Sequence, residues 1–126
     1  MYIKIEEDQY WDGHWNHNIY FIEPDNESMI ASIVIQFQID ESFDPQFHSF
    51  YVQPRYRRMG YARLLFQDAL DYMKREGRNT IDLQVRKDNP IKKMYEEFGF
   101  EYHSESEDNY EWLVLKIEKD GDNKEI

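Results

Sequence analysis

Cysteine is absent from the 126 residues, which removes a disulfide framework, a thiolate nucleophile and a Cys-type zinc site together. Long hydrophobic runs are missing as well. Apolar stretches are as short as Ile33 to Ile35, against the roughly 18 residues a membrane-crossing helix needs, so no membrane span is expected. The opening "MYIKIEEDQY" has neither a basic n-region nor an apolar h-region. A secretory leader is therefore not expected, and a cytoplasmic location is. Positive charge is scarce: 15 Lys and Arg stand against 26 Asp and Glu, a net charge of −11. That balance opposes a nucleic-acid partner.

What is present describes a folded globule. Hydrophobic residues at 40% and aromatics at 17% suffice for one modest core, and 33% charged residues give it a polar surface. The length fits a single domain, read here as 1–118, followed by a polar, frayed tail over 119–126. The few positive charges are gathered rather than spread. Between Arg55 and Lys93 lie eleven of the fifteen Lys and Arg with five carboxylates, a local balance of +6 that leaves −17 for the remainder. The middle segment is suited to an anion, and the remainder to a cationic partner.

Periodicity places the elements. "YIKI" (2–5) and "IYFI" (19–22) read as short strands separated by a polar, aromatic stretch without helical period, and "EPDNES" reads as a turn. In "MIASIVIQFQI" (29–39), Ile33, Ile35, Phe37 and Ile39 alternate with more polar neighbours, as a strand with one drier face requires. "FHSFYV" (47–52) is a further strand, ended by Pro54. From Gly60 the period changes. Ala62, Leu65, Phe66, Ala69, Leu70 and Met73 mark one helix face, with Lys74 and Arg75 in the last turn and Gly77 as the stop. "TIDLQV" (80–85) alternates again. A short helix follows, capped by Asp88 or Asn89, with Pro90 in its first turn, Ile91, Met94, Tyr95 and Phe98 on its apolar face and Gly99 closing it. "FEYH" and "EWLVLKI" end the chain as a strand pair, the last a candidate for pairing across a homodimer. The expected class is α/β with a mixed sheet.

The turn between strand and first long helix holds the chemistry. Arg58, Met59, Gly60, Tyr61, Ala62 and Arg63 surround a helix N-terminus, where backbone N–H groups lack intrahelical partners and the dipole is positive. Gly60 and Ala62 are small enough for an anion to reach the main chain, and arginines add charge-assisted hydrogen bonds. The segment lacks the Gly-Lys-Ser/Thr ending of a P-loop and the three glycines of a dinucleotide fingerprint. It reads as a phosphate site of another kind. His14 and His17, three apart in "HWNH", lack a firm third ligand and do not make a metal site.

"YVQPRYRRMGYARLL" resembles the acetyl-CoA motif of the GNAT-type N-acetyltransferase family, Q/R-x-x-G-x-G/A, with Arg57, Gly60 and Ala62 at its fixed positions. "LQVRKDNPIKKMYEEFGF" (83–100) is similar to the family's next strand, Asn, short Tyr-bearing helix and closing Gly-Phe. The resemblance runs from about Phe47 to Phe100. It implies a mostly antiparallel central sheet splayed at a cofactor slot, and transfer of an acetyl group from acetyl-CoA to a primary amine without a metal. Phe50, Tyr51 and Val52 would follow the pantetheine arm. Backbone N–H groups of Arg58, Met59, Gly60, Tyr61, Ala62 and Arg63 would hold the pyrophosphate, with Arg57 and Asn89 as further cofactor contacts. The Val52 N–H would donate to the oxyanion, and Tyr95 would protonate the departing thiolate.

Three departures from the family pattern stand out. Asn89 precedes Tyr95 by six residues rather than the usual seven, so either Asp88 or Asn89 fills the Asn position. Gln46 and Gln84 stand where a glutamate base is common, leaving His48, Asp44, Glu41 or water as substitutes. The two helices that usually wall the acceptor site are replaced by about thirteen residues bearing Tyr10, Trp11 and Trp15. A cationic, amine-bearing acceptor is the expected partner. A non-catalytic module that has kept the fold and the CoA slot is the alternative.

Overall fold

The computed structural model describes residues 1–40 and 43–117. Glu41 and the 119–126 tail lie outside the described residues. The chain forms two compact units, Met1–Asp71 and Tyr72–Ile126.

In the first unit β1 (Tyr2–Gln9), β2 (His14–Ile22), β3 (Met29–Gln38) and β4 (Gln46–Val52) follow one another in antiparallel order. The register sets Trp15 opposite Phe37, His17 opposite Ile35, and Ile19 opposite Ile33, with Phe47 of β4 on the far side of Ile35. One face therefore carries the buried residues Ile19, Phe21, Ile33, Ile35, Phe37 and Phe47, as the two-residue period demands. Trp15 stacks on Phe37 with centroids 4.3 Å apart.

The polar stretch expected between two short strands is itself strand. β1 and β2 pair along their whole length around a four-residue turn, and no helix joins them. Here the cross-strand pairs are polar: His17 Nδ1 meets Glu7 Oε2 at 2.8 Å, and the Asn18 amide donates to Asp8 Oδ2 at 3.0 Å. Such pairs stabilise a hairpin without giving an apolar alternation. Because β2 is extended, His14 and His17 fall on opposite faces. They pair separately with Asp12 and Glu7.

β4 is interrupted at Ser49, whose φ of +53° is left-handed, and its register against β3 shifts between Ser32 and Val34. This bulge brings Phe47 and Phe50, three residues apart, onto the same side, where both rings meet Phe66 at 5.2 and 5.7 Å. After a single 3₁₀ turn at Pro54–Tyr56, α1 (Tyr61–Arg75) begins. Leu65, Phe66, Ala69, Leu70 and Met73 are buried along one stripe. Burial of a side chain such as Phe66 contributes about 1.5–3 kcal/mol. The helix ends as expected, with Arg78 N–H returning to the Met73 carbonyl at 3.1 Å.

In the second unit β7 (Tyr110–Lys116) lies between β5 (Thr80–Arg86) and β6 (Glu101–Glu105), antiparallel to both. The expectation that the C-terminal strand offers an edge for a dimer is corrected: β7 is paired on both sides. Ile81, Leu83, Val85, Leu113 and Leu115 fill the buried face. α2 (Lys92–Glu97) is tied to that face at both ends. At its start Lys92 forms an ion pair with Glu111, whose side chain is 5% exposed. At its end, a Cβ placed on Gly99 comes within 3.1 Å of Leu115 Cδ1. Losing one partner of a buried pair strands a charge. Lys92→Met is expected to lower the melting temperature by several degrees, and the double variant Lys92→Met/Glu111→Leu to recover most of that loss in a calorimetric scan.

Seven strands and two α-helices among the described residues give the α/β class expected.

Candidate functional site

The turn into α1 is built from two left-handed residues: φ is +63° at Arg58 and +88° at Gly60. Left-handed positions alternating with ordinary ones turn successive N–H groups toward one side, which makes an anion-binding concavity. The first helical bond runs from Leu64 N–H to the Gly60 carbonyl at 3.2 Å. The N–H groups of Tyr61, Ala62 and Arg63 therefore precede the helix ladder. A Cβ added at Gly60 meets nothing within 4 Å, so the main chain is open there. Met59 is well exposed, and Tyr61 and Ala62 are half-buried at the helix start.

Arg57 does something the sequence does not disclose. Its Nε donates to the Val52 carbonyl at 2.8 Å, and its guanidinium lies over the Tyr51 ring at 5.5 Å. The charge is folded back onto the end of β4. Arg55 similarly lies over Tyr56 and donates to Ser28 Oγ at 3.3 Å, tying the 3₁₀ turn to the β2–β3 loop.

The register also orients Val52. Gln53 N–H donates to the Ile30 carbonyl at 2.9 Å, and Ala31 faces Val52. Hydrogen-bonded and non-hydrogen-bonded pairs alternate in an antiparallel ladder, so Ala31–Val52 is of the second kind. The Val52 N–H points away from β3, as a donor to a ligand beside β4 must.

His48, a candidate base in this unit, shares the face opposite Phe47 with Gln46, beside Gln36 and Val34. His48 is half-buried, and its Nδ1 is 2.9 Å from Ser49 Oγ. Burial, aided by the charge of His14, holds its imidazole below the ordinary histidine range. It is therefore neutral near pH 7, the form that accepts a proton. Asp44 is exposed.

In the second unit, Asp88 and Asn89 have different tasks. The Asp88 carboxylate pairs with Arg86 at 3.1 Å, which pulls its pKa down. Asn89 Oδ1 accepts the Ile91 N–H at 3.0 Å. The expected cap is thus a separate turn: residues 89–91, Pro90 included, precede the helix, which starts at Lys92. Gln84 donates to Ser106 Oγ. Tyr95 is buried at 8% exposure, with its ring 6.0 Å from that of Phe100. Gly99, at φ +107°, lets Phe100 N–H return to the Tyr95 carbonyl at 3.1 Å, the bond that closes α2 and fixes this residue.

Burial pushes the Tyr95 phenol up to about 12. A raised pKa means that the folded state holds the proton more tightly than the unfolded chain, which releases it near 10. The stabilisation is complete below pH 10 and disappears as pH rises through 12. Denaturant unfolding between pH 9 and 12 is expected to show a loss of about 2 kcal/mol in the native chain. That component is expected to be missing in Tyr95→Phe.

Among the described residues no group of three His, Asp or Glu gathers as metal ligands. No helix among them is long and apolar enough to cross a membrane.

A β-β-β-β-α-β-α-β-β chain with a left-handed turn between its fourth strand and first helix is the architecture of an acyl-CoA N-acyltransferase. The chain belongs to the acetyltransferase (GNAT) family, whose model matches residues 2–100. No curated protein sequence matches it. Among solved structures, it is similar to the ribosomal-protein-S18-alanine N-acetyltransferase of Escherichia coli. That match has 23% identity, TM-score 0.66, and coverage of 94% of this chain and 77% of that one. A spermidine N-acetyltransferase SpeG chimera from Vibrio cholerae and hSSAT matches at 21% identity and TM-score 0.65, over 80% of this chain and 66% of the other. The PaiA N-acetyltransferase of Thermoplasma acidophilum, solved with coenzyme A, matches at 17% identity and TM-score 0.64, over 83% and 62%.

Proposed function

We propose that the chain transfers an acetyl group from acetyl-CoA directly to a primary amine of a cationic acceptor. The observation that carries this reading is the turn of Arg58 to Arg63, whose two left-handed residues open backbone N–H groups at the start of α1. The pyrophosphate binds there, with Arg58 and Arg63 adding charge. The pantetheine arm follows Phe50, Tyr51 and Val52, and Asn89 contributes a further contact. Arg57 acts indirectly, holding the Val52 carbonyl so that the Val52 N–H keeps its direction.

The amine attacks the thioester carbonyl, whose oxygen gains charge opposite the Val52 N–H. Neutral His48, or water, takes the proton from the attacking nitrogen. Tyr95 serves the departing sulfur. A phenol near 12 is a weak acid beside a thiol of about 8.5, so it acts first as a hydrogen-bond donor as negative charge develops on sulfur. No covalent enzyme intermediate is involved, consistent with the absence of cysteine. The chain works as a water-soluble enzyme of the cytoplasm.

The test is release of free CoA thiol from acetyl-CoA across spermidine, an aminoglycoside, and peptides with a free N-terminus or lysine. Thiol release that scales with enzyme and with one of these amines supports the reading. Binding of acetyl-CoA with no release from any amine favours instead a non-catalytic CoA-binding module. Gln46 and Gln84 in place of acidic bases support that alternative.

A further inference from the structure

Four large apolar side chains stand exposed at one end of the first unit's sheet: Trp11 at 98%, Ile39 at 74%, Phe43 at 60% and Tyr10 at 43%. They come from two loops that the fold joins. Ile39 N–H donates to the Gly13 carbonyl at 2.9 Å, and the Ile39 side chain lies 3.8 Å from where a Gly13 Cβ would be. Phe43 is held in the same loop by its N–H to the Asp40 carbonyl at 3.2 Å. Tyr10 is braced by stacking on His14 at 4.3 Å. Single exposed apolar residues are ordinary, but a group gathered on adjoining loops marks a contact surface.

The surroundings of this patch are of one sign. Between Lys4 and Arg55 the sequence has no lysine or arginine, while Glu6, Glu7 and Asp8 lie on the strand that leads into the first of the two loops. Asp12 and Asp40 sit within the two loops themselves, and Asp44 beside them is exposed. A second copy would bring the same negative patch and be repelled, and an anionic lipid surface would be repelled likewise. The surface complements a segment that carries both positive charge and apolar side chains.

Its place in the fold gives it a use. The antiparallel order puts the β1–β2 and β3–β4 connections at the end of the sheet opposite the Arg58 to Arg63 turn. The seven residues of β4 span the distance, about 23 Å. If the cofactor's arm follows β4 with its thioester at Val52, a segment held at the patch would reach it by extending along β4, which a polypeptide can do and a small amine cannot.

We propose that Tyr10, Trp11, Ile39 and Phe43 form a docking surface for a basic, apolar polypeptide segment, so that the acceptor amine is presented by a peptide chain rather than by a free polyamine. The proposal rests on the acetyltransferase reading for its use, but the surface is testable alone. The probes are three fluorescent 14-residue peptides: lysine with leucine, lysine with serine at the same charge, and glutamate with leucine. Binding is read by anisotropy against the native chain and Trp11→Ser/Phe43→Ser, whose changed residues are exposed.

The lysine–leucine peptide is expected to bind at least about tenfold more tightly than the lysine–serine peptide, and the glutamate–leucine peptide not at all. The double variant is expected to lose at least about tenfold for the first peptide only, with its acetyl-CoA-induced thermal shift unchanged. Equal binding of both lysine peptides, or no effect of the variant, overturns the proposal. So does sedimentation showing that the patch closes a self-association, or binding to phosphatidylserine vesicles that the variant abolishes. Peptide binding without any acetyl-CoA shift would instead contradict the acetyltransferase reading and leave the surface standing.

Discussion

Gly60→Glu is expected to abolish acetyl-CoA binding, raising Kd by more than about 100-fold in titration calorimetry. The substitution has two effects that a second variant separates. Any side chain at a φ of +88° is strained, at about 1–2 kcal/mol of fold stability. Gly60→Ala carries that strain alone, since its Cβ meets nothing within 4 Å. Its acetyl-CoA affinity is expected to stay within about tenfold of the native chain. The glutamate adds a carboxylate where N–H groups are gathered for a phosphate, so repulsion replaces attraction. Similar melting temperatures for the two variants, with binding lost only in the glutamate one, place the phosphates at this turn. Unchanged binding in Gly60→Glu moves them elsewhere.

Tyr95→Phe is expected to lower kcat by about 10²- to 10³-fold while acetyl-CoA affinity changes less than about threefold. The ring and its packing against Phe100 are retained, so only the hydroxyl is removed. Equal losses in turnover and affinity would assign Tyr95 to packing. The pH profile gives a separate check. The attacking amine must be neutral, so the rate rises as pH increases toward the amine's pKa. With the phenol pushed up to about 12, no falling limb from Tyr95 is expected below pH 11. A fall centred near pH 10 would mean a phenol at its ordinary value.

The parts of this fold that could be read in advance are those where burial writes a period into the sequence. Ile33, Ile35 and Phe37 alternate because one side of β3 is dry, and Leu65, Phe66, Ala69 and Met73 recur because one stripe of α1 is buried. Gly60 and Gly99 were legible because their backbone angles demand glycine. Other features carry no such mark in the sequence. The second half of β1 and the first half of β2 pair through His17–Glu7 and Asn18–Asp8, so no apolar alternation announces them. Ser49 makes the β4 bulge with a left-handed φ that its residue type does not advertise. The divided roles of Asp88 and Asn89 depend on whether Arg86 or the Ile91 N–H lies within reach. Arg57 is drawn to a carbonyl five residues back, although its position in the motif suggests an outward charge. The long-range half of the site, in short, is set by partners and not by spacing.

The central claim is that the turn at Arg58 to Arg63 holds acetyl-CoA, and a thermal shift of the purified protein tests it most directly, with CoA and ATP as comparisons. A ligand at about 100 times its Kd stabilises the folded state by roughly 2.7 kcal/mol, which moves the midpoint of a domain this size by several degrees. The expected result is a saturable rise with acetyl-CoA and CoA and little with ATP, whose phosphates lack the pantetheine arm that β4 would receive. No shift with acetyl-CoA or CoA at millimolar concentration would contradict the account, leaving a GNAT fold whose turn serves another purpose.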